Sequence, residues 1–183
     1  MKLKYSSFLT LALSLFIFAA CQTTRVTVLE QSPNFELAAY SSFGFFISDA
    51  EGVLSENYEQ HLEYLRDEIS QRMETRGLSK QGEGAELKIN IGIVVEERDQ
   101  VRETSLTTDP GTFNYIGQRN YTWQSEEIKV GTYRQGTVTI HLVDAERNEA
   151  VWVGISDRVI EEREERLQRT IREGVAEMFD KIP

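Results

Sequence analysis

The sequence predicts a single α+β domain in which two amphipathic helices pack on one face of a mostly antiparallel sheet. Residues 136–159 alternate apolar and polar side chains on both sides of a short polar turn, which is typical of a β-hairpin. Residues 55–77 and 161–182 instead repeat apolar residues every three or four positions, which is typical of a helix with one buried face. No internal repeat or second domain is visible in the 183 residues.

The hairpin is the strongest strand prediction. Val138, Ile140 and Leu142 alternate with polar residues before the turn, and a Val-Trp-Val strand follows it. In the turn, Asp144 is expected to fold its side chain back on the backbone, and Asn148 to tolerate a left-handed conformation.

The two helices are predicted from their stripes and their ends. Ser55 is expected to be the N-cap of the first helix, and Gly77 its C-cap, with Leu78 making the hydrophobic contact that follows such a cap. The stripes that should cover the sheet are Tyr58, Leu62, Leu65, Ile69 and Met73 in the first helix, and Leu167, Ile171, Val175, Met178 and Ile182 in the second.

Further strands are expected at residues 25–30, 40–47 and 85–97, with more strand material at 121–123 and 128–130. Gly44 inside the second of these strands indicates a bulge or a close packing contact. Residues 48–54 and 98–119 are polar or rich in turn residues and are predicted to be loops.

Residues 1–20 are expected to be a secretion signal. Lys2 and Lys4 precede the apolar stretch 8–20, which is shorter than the roughly 20 residues of a spanning helix. The sequence Phe18-Ala19-Ala20-Cys21 resembles the lipobox of bacterial lipoproteins. That resemblance implies that Cys21 becomes an acylated N-terminus carrying palmitate-type chains, with 21–25 as a short tether.

Two or more acyl chains hold a protein stably on a membrane. The alternative is an ordinary signal peptide with an incidental cysteine. Gln22 follows the cysteine where an Asp favours inner-membrane retention in enteric lipoproteins, so a periplasm-facing outer-membrane location is expected. An inner-membrane or cell-surface location stays open.

Composition excludes several classes of function. The formal charge is −10, and it becomes −12 once Lys2 and Lys4 leave with the first 20 residues, so phosphate backbones repel the chain and nucleic acid is not an expected partner. Hydrophobic residues make up 40% and charged residues 27%, as in a globular domain. Cys21 is the single cysteine, so neither an intrachain disulfide nor a thiolate cluster is expected.

No catalytic or metal-binding motif stands out in the sequence. His61 and His141 have no partner at metal-ligand spacing, and each is interpreted as a polar residue of its element. No nucleophile elbow, P-loop or dinucleotide fingerprint is present, so no cofactor is expected and a non-enzymatic role is favoured.

One stretch is a candidate ligand-binding surface. The aromatic residues Phe113, Tyr115, Tyr121 and Trp123 lie among amides between the middle strand and the hairpin. Rings interleaved with amides suit a carbohydrate or peptide groove, because they give broad contact at little entropic cost. The alternative, which the sequence favours, is that the rings cap one edge of the sheet.

The hairpin also resembles the C-terminal signature of the DUF4136 family, which is found in lipoproteins of Gram-negative bacteria. The matching positions are Gly136, Thr137, Leu142, Val143, Asp144, Ala145, Val151, Trp152 and Gly154. Residues 40–45 resemble the family's early aromatic strand and residues 85–90 its middle strand, so the resemblance covers about residues 26–183. The family pattern often has an acid where this chain has His141, and it implies no established reaction.

The expected function is therefore an acyl-anchored cell-envelope lipoprotein acting as a binding or structural module, with an envelope protein or glycan as partner. The alternative is a periplasmic hydrolase acting on envelope polymers. A deep cleft with converging acids, or an acid beside His141, would favour the hydrolase, whereas a groove lined by the aromatic residues would favour the binding module.

Overall fold

The computed structural model describes residues 26–104 and 127–183. Within this part of the chain, six strands form one sheet in the order β1–β6–β5–β4–β2–β3. The neighbours from β1 to β4 in this order pair antiparallel, whereas β4, β2 and β3 pair in parallel. The strands are β1 (Val26–Gln31), β2 (Ser42–Gly52), β3 (Ser79–Lys80), β4 (Leu87–Glu103), β5 (Glu127–Asp144) and β6 (Glu149–Val159).

Two helices, α1 (Tyr58–Thr75) and α2 (Glu164–Phe179), complete the predicted α+β architecture. Helix α1 lies in the crossover between the parallel strands β2 and β4, as parallel pairing requires a long connection. The helices run side by side in the same direction. Arg172 Nε lies 3.3 Å from Glu68 Oε1 in their middle, and Arg76 donates to the carbonyl of Phe179 at their ends.

The end of α1 follows the prediction closely. Gly77 has φ 94°, and the amide of Leu78 donates to the carbonyl of Met73 while that of Gly77 donates to Glu74. These are the two hydrogen bonds of a Schellman motif, in which a left-handed residue satisfies the last helical carbonyls. Leu78 is buried, as expected of the residue after such a cap.

The predicted start of α1 was wrong. The N-cap is Asn57 rather than Ser55, and no side chain caps the helix. Ser55 instead begins a turn in which its carbonyl accepts from the amide of Tyr58, so the turn satisfies that amide through the backbone. The side chain of Ser55 is thereby left to face His61, as described below.

Several predicted boundaries also differ. Strand β2 continues to Gly52 and β4 to Glu103, through stretches predicted as loops, because backbone pairing does not depend on apolar side chains. Among the described residues, 97–103 of β4 pair only with 127–134 of β5, since β2 ends opposite Val95 and β6 ends opposite Gln135. We call this two-stranded extension the ribbon. Helix α2 is shorter than predicted. It begins after Arg163, an N-cap with extended backbone, and ends at Phe179.

The hairpin turn behaves as its residues predict. Asp144 accepts hydrogen bonds from the amides of Glu146 (3.0 Å) and Arg147 (2.9 Å), and Asn148 has φ 53°. Tyr40 donates a further bond to the Asp144 carboxylate at 2.9 Å. The backbone and hydroxyl donors lower the pKa of Asp144, the Arg147 amide most strongly.

The signature Trp-x-Gly of β6 has a packing reason. Trp152 is fully buried, and a β-carbon on Gly154 would overlap the six-membered ring of its indole. The two residues are two apart in a strand and therefore share the face under the helices. Gly154 is thus needed for the ring to lie flat along its own strand.

The predicted close contact at Gly44 is also confirmed. A β-carbon there would lie 2.6 Å from the carbonyl oxygen of Gln81, and the pairing of β2 with β4 shifts register just beyond it, between Phe45 and Ile47. The apolar stripe of α1 is buried from Leu62 to Met73, with Tyr58 partly buried at the core edge.

Candidate functional site

A cavity of about 270 Å³ lies between the two helices and the sheet, at the end from which the ribbon extends. The first turns of α1 and most of α2 form its roof, and β4, β5 and β6 form its floor. Its apolar wall includes Leu54, Leu62, Leu65, Ile93, Val95, Val138, Leu167, Ile171, Val175 and Met178. We call this cavity the pocket.

The pocket exists because small residues occupy the floor and roof there. Gly136, Val138 and Ser156 line the floor where the same strands elsewhere carry Leu142 and Trp152. A β-carbon on Gly136 would come within 3.1 Å of the Ile160 side chain, so that glycine also lets the segment after β6 close down. Leu167 and Ile171 of the predicted α2 stripe are consequently only partly buried.

Three polar residues of the floor strands line the pocket, Arg134 of β5 and Ser156 and Arg158 of β6. Ser156 is 3% exposed, and its Oγ has no hydrogen-bond partner among the described residues. Beside it, Arg158 places Nη2 2.7 Å from Glu177 Oε2, in an ion pair whose angle does not make a hydrogen bond. The Nε of Arg158 is likewise buried and unpartnered within the described chain.

Gly174 on α2 faces both groups. A β-carbon there would lie 3.4 Å from Arg158 Nε and 3.6 Å from Ser156 Oγ, which is near-contact distance. Glu177 Oε2 is a third buried polar atom beside these donors without a hydrogen bond among the described residues. Buried polar atoms are nearly always paired in folded proteins, so this corner under α2 is unusual.

The mouth of the pocket carries a chain of three polar residues. His61 Nε2 lies 3.0 Å from Glu164 Oε2, and His61 Nδ1 lies 3.3 Å from Ser55 Oγ. A carboxylate only accepts, so Nε2 carries a proton, and in the neutral ring Nδ1 then accepts from the serine hydroxyl. The hydrogen bond from His61, with that from Gln168, lowers the pKa of Glu164. The contact links the first turns of the two helices.

The structure separates the two histidines that the sequence left without a role. His141 lies on the face of the sheet opposite the helices, with Asn90 and Val153 as cross-strand neighbours, so neither neighbour is an acid. His61 lies at the pocket mouth. In residues 26–104 and 127–183, no three His, Cys, Asp or Glu side chains are grouped as metal ligands would be.

The other predicted site residues lie outside the described residues. These are the acylation site Cys21 with its tether 21–25, and the aromatic residues Phe113, Tyr115, Tyr121 and Trp123. Both remain predictions. In the described chain, no helix combines the length and apolarity needed to cross a bilayer.

Ser156, Arg158 and Gly174 were missed by the sequence analysis, although a signal was present. Counting by twos from the buried Trp152 places Ser156 and Arg158 on the helix-facing side of β6. Counting by three from Ile171 places Gly174 on the buried stripe of α2. A polar residue or a glycine at such a position is typical of the lining of a cavity, whereas a filled core would have a large apolar residue there.

These features define a domain in which two helices pack side by side on one face of a sheet, with an apolar pocket between the helices and the sheet. The chain belongs to the family described as "Domain of unknown function (DUF4136)", whose model matches residues 26–183. The match covers every described element. No curated protein matches the chain.

Several solved structures are similar to the chain at low identity. A PDZ domain protein from Parabacteroides distasonis is similar over 87% of this chain and 35% of its own, with 12% identity and a TM-score of 0.53. The chain therefore spans about a third of that protein. A PelC dodecamer from Paraburkholderia phytofirmans matches over 84% of this chain and 93% of its own, with 13% identity and a TM-score of 0.46.

A putative neuraminyllactose-binding hemagglutinin homologue from Helicobacter pylori is also similar. It matches over 78% of this chain and 83% of its own, with 16% identity and a TM-score of 0.42. At such identities, the similarity of the first structure concerns the fold alone.

Proposed function

We propose that this chain is an acyl-anchored cell-envelope lipoprotein that acts as a binding module, and that the pocket is its binding site. The observation that carries the binding role is the apolar cavity of about 270 Å³ inside a well-packed domain. Protein interiors hold few voids larger than a water molecule, so a cavity of this size between the helices and the sheet supports a binding role.

The size of the pocket sets the size of its ligand. An apolar cavity of about 150 Å³ takes up benzene, so about 270 Å³ has room for roughly eleven non-hydrogen atoms. The wall is mainly aliphatic, with a few polar groups, which is the usual composition of small-molecule sites. A chain-like apolar molecule, or the chain of a larger envelope lipid, fits this description.

The anchor is tested by fractionation. Cys21→Ala should release the protein into the periplasm or leave it unprocessed, since the acyl chains have no attachment point. Wild-type protein should stay with washed membranes and carry chains that metabolic labelling with an alkyne-bearing palmitate detects. If the processed mutant still fractionates with membranes, the lipoprotein proposal is wrong.

The pocket is tested by photolabelling of the full-length protein in washed membranes. An uncharged decanol probe bearing a diazirine and an alkyne should label peptides of α2 that contain Leu167 and Ile171. Val138→Phe should fill the pocket and remove most of this labelling. Thr139→Phe, the matched control, places the same ring on the opposite face of the same strand and should leave labelling unchanged.

Equal labelling of the wild-type protein and of Val138→Phe would show that the probe does not enter the pocket. Labelling concentrated on the face of the sheet opposite the helices would contradict the proposed site in the same way.

A hydrolase is the second candidate, and Ser55, His61 and Glu164 are the observation that favours it. A serine, a histidine and a carboxylate in series can activate the serine as a nucleophile. The ring is reversed relative to serine proteases, in which Nε2 faces the serine and Nδ1 the acid. The binding module is therefore preferred. A fluorophosphonate probe distinguishes the two, because labelling at Ser55 that is lost in His61→Ala would establish the hydrolase.

A further inference from the structure

The chain enters the domain at the same end as the pocket. Strand β1 pairs antiparallel with β6, and its first residue, Val26, lies opposite Ser156 of the pocket floor. Its last residue, Gln31, lies opposite Trp152 in the filled part of the core. The strand therefore runs away from the ribbon, and the chain before Val26 joins the domain beside the pocket.

The sequence limits how far this end can lie from a lipid anchor. Five residue steps separate Cys21 from Val26, and an extended chain spans at most about 3.6 Å per residue, so their Cα atoms are no more than about 18 Å apart. The turn end of β6, at Glu149, is seven residues from Ser156, which is about 23 Å along a strand. An acyl anchor on Cys21 therefore holds the pocket end, rather than the turn end, near the bilayer.

Most of the exposed large apolar side chains are at this end as well. Val53 (52% exposed) and Leu54 (37% exposed) line the pocket, so they lie at its mouth. Exposed apolar residues that continue into a cavity are typical of a surface that meets another apolar phase. Nine such side chains are exposed among the described residues, and six of them lie in or next to the ribbon: Val53, Leu54, Val94, Val101, Val130 and Val159.

The charge of this end indicates the kind of lipid surface that it meets. The ribbon has four acidic and four basic residues and no net charge, although the chain without its first 20 residues has a formal charge of −12. The mouth adds the acids Glu161, Glu162 and Glu164. An anionic leaflet attracts basic segments and repels an acidic mouth. A zwitterionic leaflet therefore suits this end better than an anionic one.

We infer that the ribbon end of the domain, with the mouth of the pocket, contacts the zwitterionic lipid surface that holds the acyl anchor. A lipid chain then enters the pocket from that leaflet without crossing water. This inference rests on the proposed anchoring at Cys21 and on the proposed binding role of the pocket. Val53 and Leu54 form the contact at the mouth, and the aliphatic wall at Leu167 and Ile171 continues it inward.

The contact is tested with a fluorophore on an added cysteine of the full-length protein. Acylation blocks the sulfur of Cys21, the single cysteine, so Leu54→Cys supplies one free thiol for bimane. The protein is placed in phosphatidylcholine vesicles with and without lipids that bear a nitroxide quencher on the acyl chain. Bimane at position 54 should lose most of its emission to the nitroxide lipid.

Two further variants make the comparison decisive. Phe46→Cys is the matched control, since Phe46 is also large, apolar and exposed but lies on β2 away from the ribbon, and its bimane should lose little emission. Val53→Cys is a second reporter at the mouth, which keeps the test valid if Leu54→Cys lowers the melting temperature. Replacing part of the phosphatidylcholine by phosphatidylglycerol should weaken quenching at position 54, because the acids of the mouth are repelled.

The route of the ligand is tested with an octadecanol probe that bears a diazirine and an alkyne. The probe is placed either in the vesicles that hold the protein or in separate vesicles mixed with them shortly before irradiation. Entry from the leaflet predicts that peptides of α2 are labelled mainly in the first case, whereas entry through water gives equal labelling in both.

The outcomes separate this inference from the proposed function. Equal quenching at the mouth and at position 46, in protein that sediments with the vesicles, overturns the contact and leaves the anchor standing. Equal quenching at position 54 in the two lipid compositions overturns the assignment of a zwitterionic surface. Equal α2 labelling from the two vesicle populations overturns the route and leaves the pocket standing. Protein that does not sediment with vesicles contradicts the proposed anchor and this inference together.

Discussion

The two ends of the helix–sheet interface are built from the same strands but with opposite packing. Toward the β5–β6 turn, Ile89, Leu142 and Trp152 lie side by side across three strands and are fully buried. Toward the ribbon, the same strands carry Val138 and Ser156 at equivalent inward positions, and a cavity replaces the filled core. We call these the packed half and the hollow half.

In this fold the packed half contains the filled core, and the hollow half contains the candidate binding site. The packed half includes most of the positions that resemble the DUF4136 signature, and these are explained by packing and turn geometry. The hollow half contains the unpartnered donors and the polar contact at the mouth. A family signature made mostly of core and turn residues therefore marks the scaffold, and, apart from Gly136, the residues that line the pocket lie outside that signature.

The largest expected effect is the loss of stability when a charge is buried in the packed half, compared with the same charge placed in the hollow half. Ile69→Asp places a carboxylate at a fully buried position outside the pocket, and should cost several kcal/mol of a total of about 5–15, which leaves the domain unfolded or nearly so. Ile171→Asp faces the pocket, where water can reach the charge, and should cost about 1–3 kcal/mol. Urea unfolding followed by circular dichroism measures both. Equal losses would mean that the hollow half is as closed as the packed half.

A glycine in each half gives a smaller and opposite pair of effects. Gly154→Ala forces a methyl group into the ring of Trp152 and should cost about 1–3 kcal/mol through overpacking. Gly174→Ala meets its neighbours only at 3.4 Å and beyond and improves helix propensity, so it should stabilise the domain by up to about 1 kcal/mol. Melting temperatures should move down in the first variant and up in the second. A drop in both would show that no space lies beside Gly174.

A third effect concerns pH and the turn that closes the packed half. Asp144 has its pKa lowered below the ordinary value of 3.8, so its carboxylate stabilises the fold above that pH and this contribution disappears as the pH falls through its folded-state pKa. Asp144→Asn should therefore lower stability at pH 7 by about 1–2 kcal/mol, with the difference shrinking toward pH 3. A difference that stays constant from pH 7 to pH 3 would contradict this role of the carboxylate.

The sequence predicted the packed half well because its signals are local. Alternation located the hairpin, the stripe located α1, and Gly77 with Leu78 located its end. Boundaries failed where pairing with a distant strand decided the outcome, as in the extension of β4 beyond residue 97. The parallel pairing of β2 with β4 has no local signal, because it depends on where the crossover helix returns the chain.

The candidate site was harder to predict, for a physical reason. A cavity is an absence of volume, and Gly136, Ser156 and Gly174 come from three elements whose juxtaposition is set by the fold. The pairing of His61 with Glu164 spans 103 positions and also depends on the side-by-side arrangement of the helices. Alternation along β6 places Ser156 and Arg158 on its inward face, and the sequence shows this. Whether a polar residue there lines a cavity depends on the elements packed against it, which the sequence does not show.

The ribbon has a consequence for how the molecule exchanges its amide hydrogens. Its hydrogen bonds join residues 97–103 to 127–134, no third strand from residues 26–104 or 127–183 flanks them, and its side chains are exposed or only partly buried. Such bonds break locally, at a lower free energy than those of the central strands, which exchange only when the domain unfolds. The amides of β4 and β5 should therefore exchange with deuterium at two rates, fast in the ribbon and slow in the rest of the two strands. The boundary between fast and slow amides should fall near Val95 and Gly136, at the edge of the pocket.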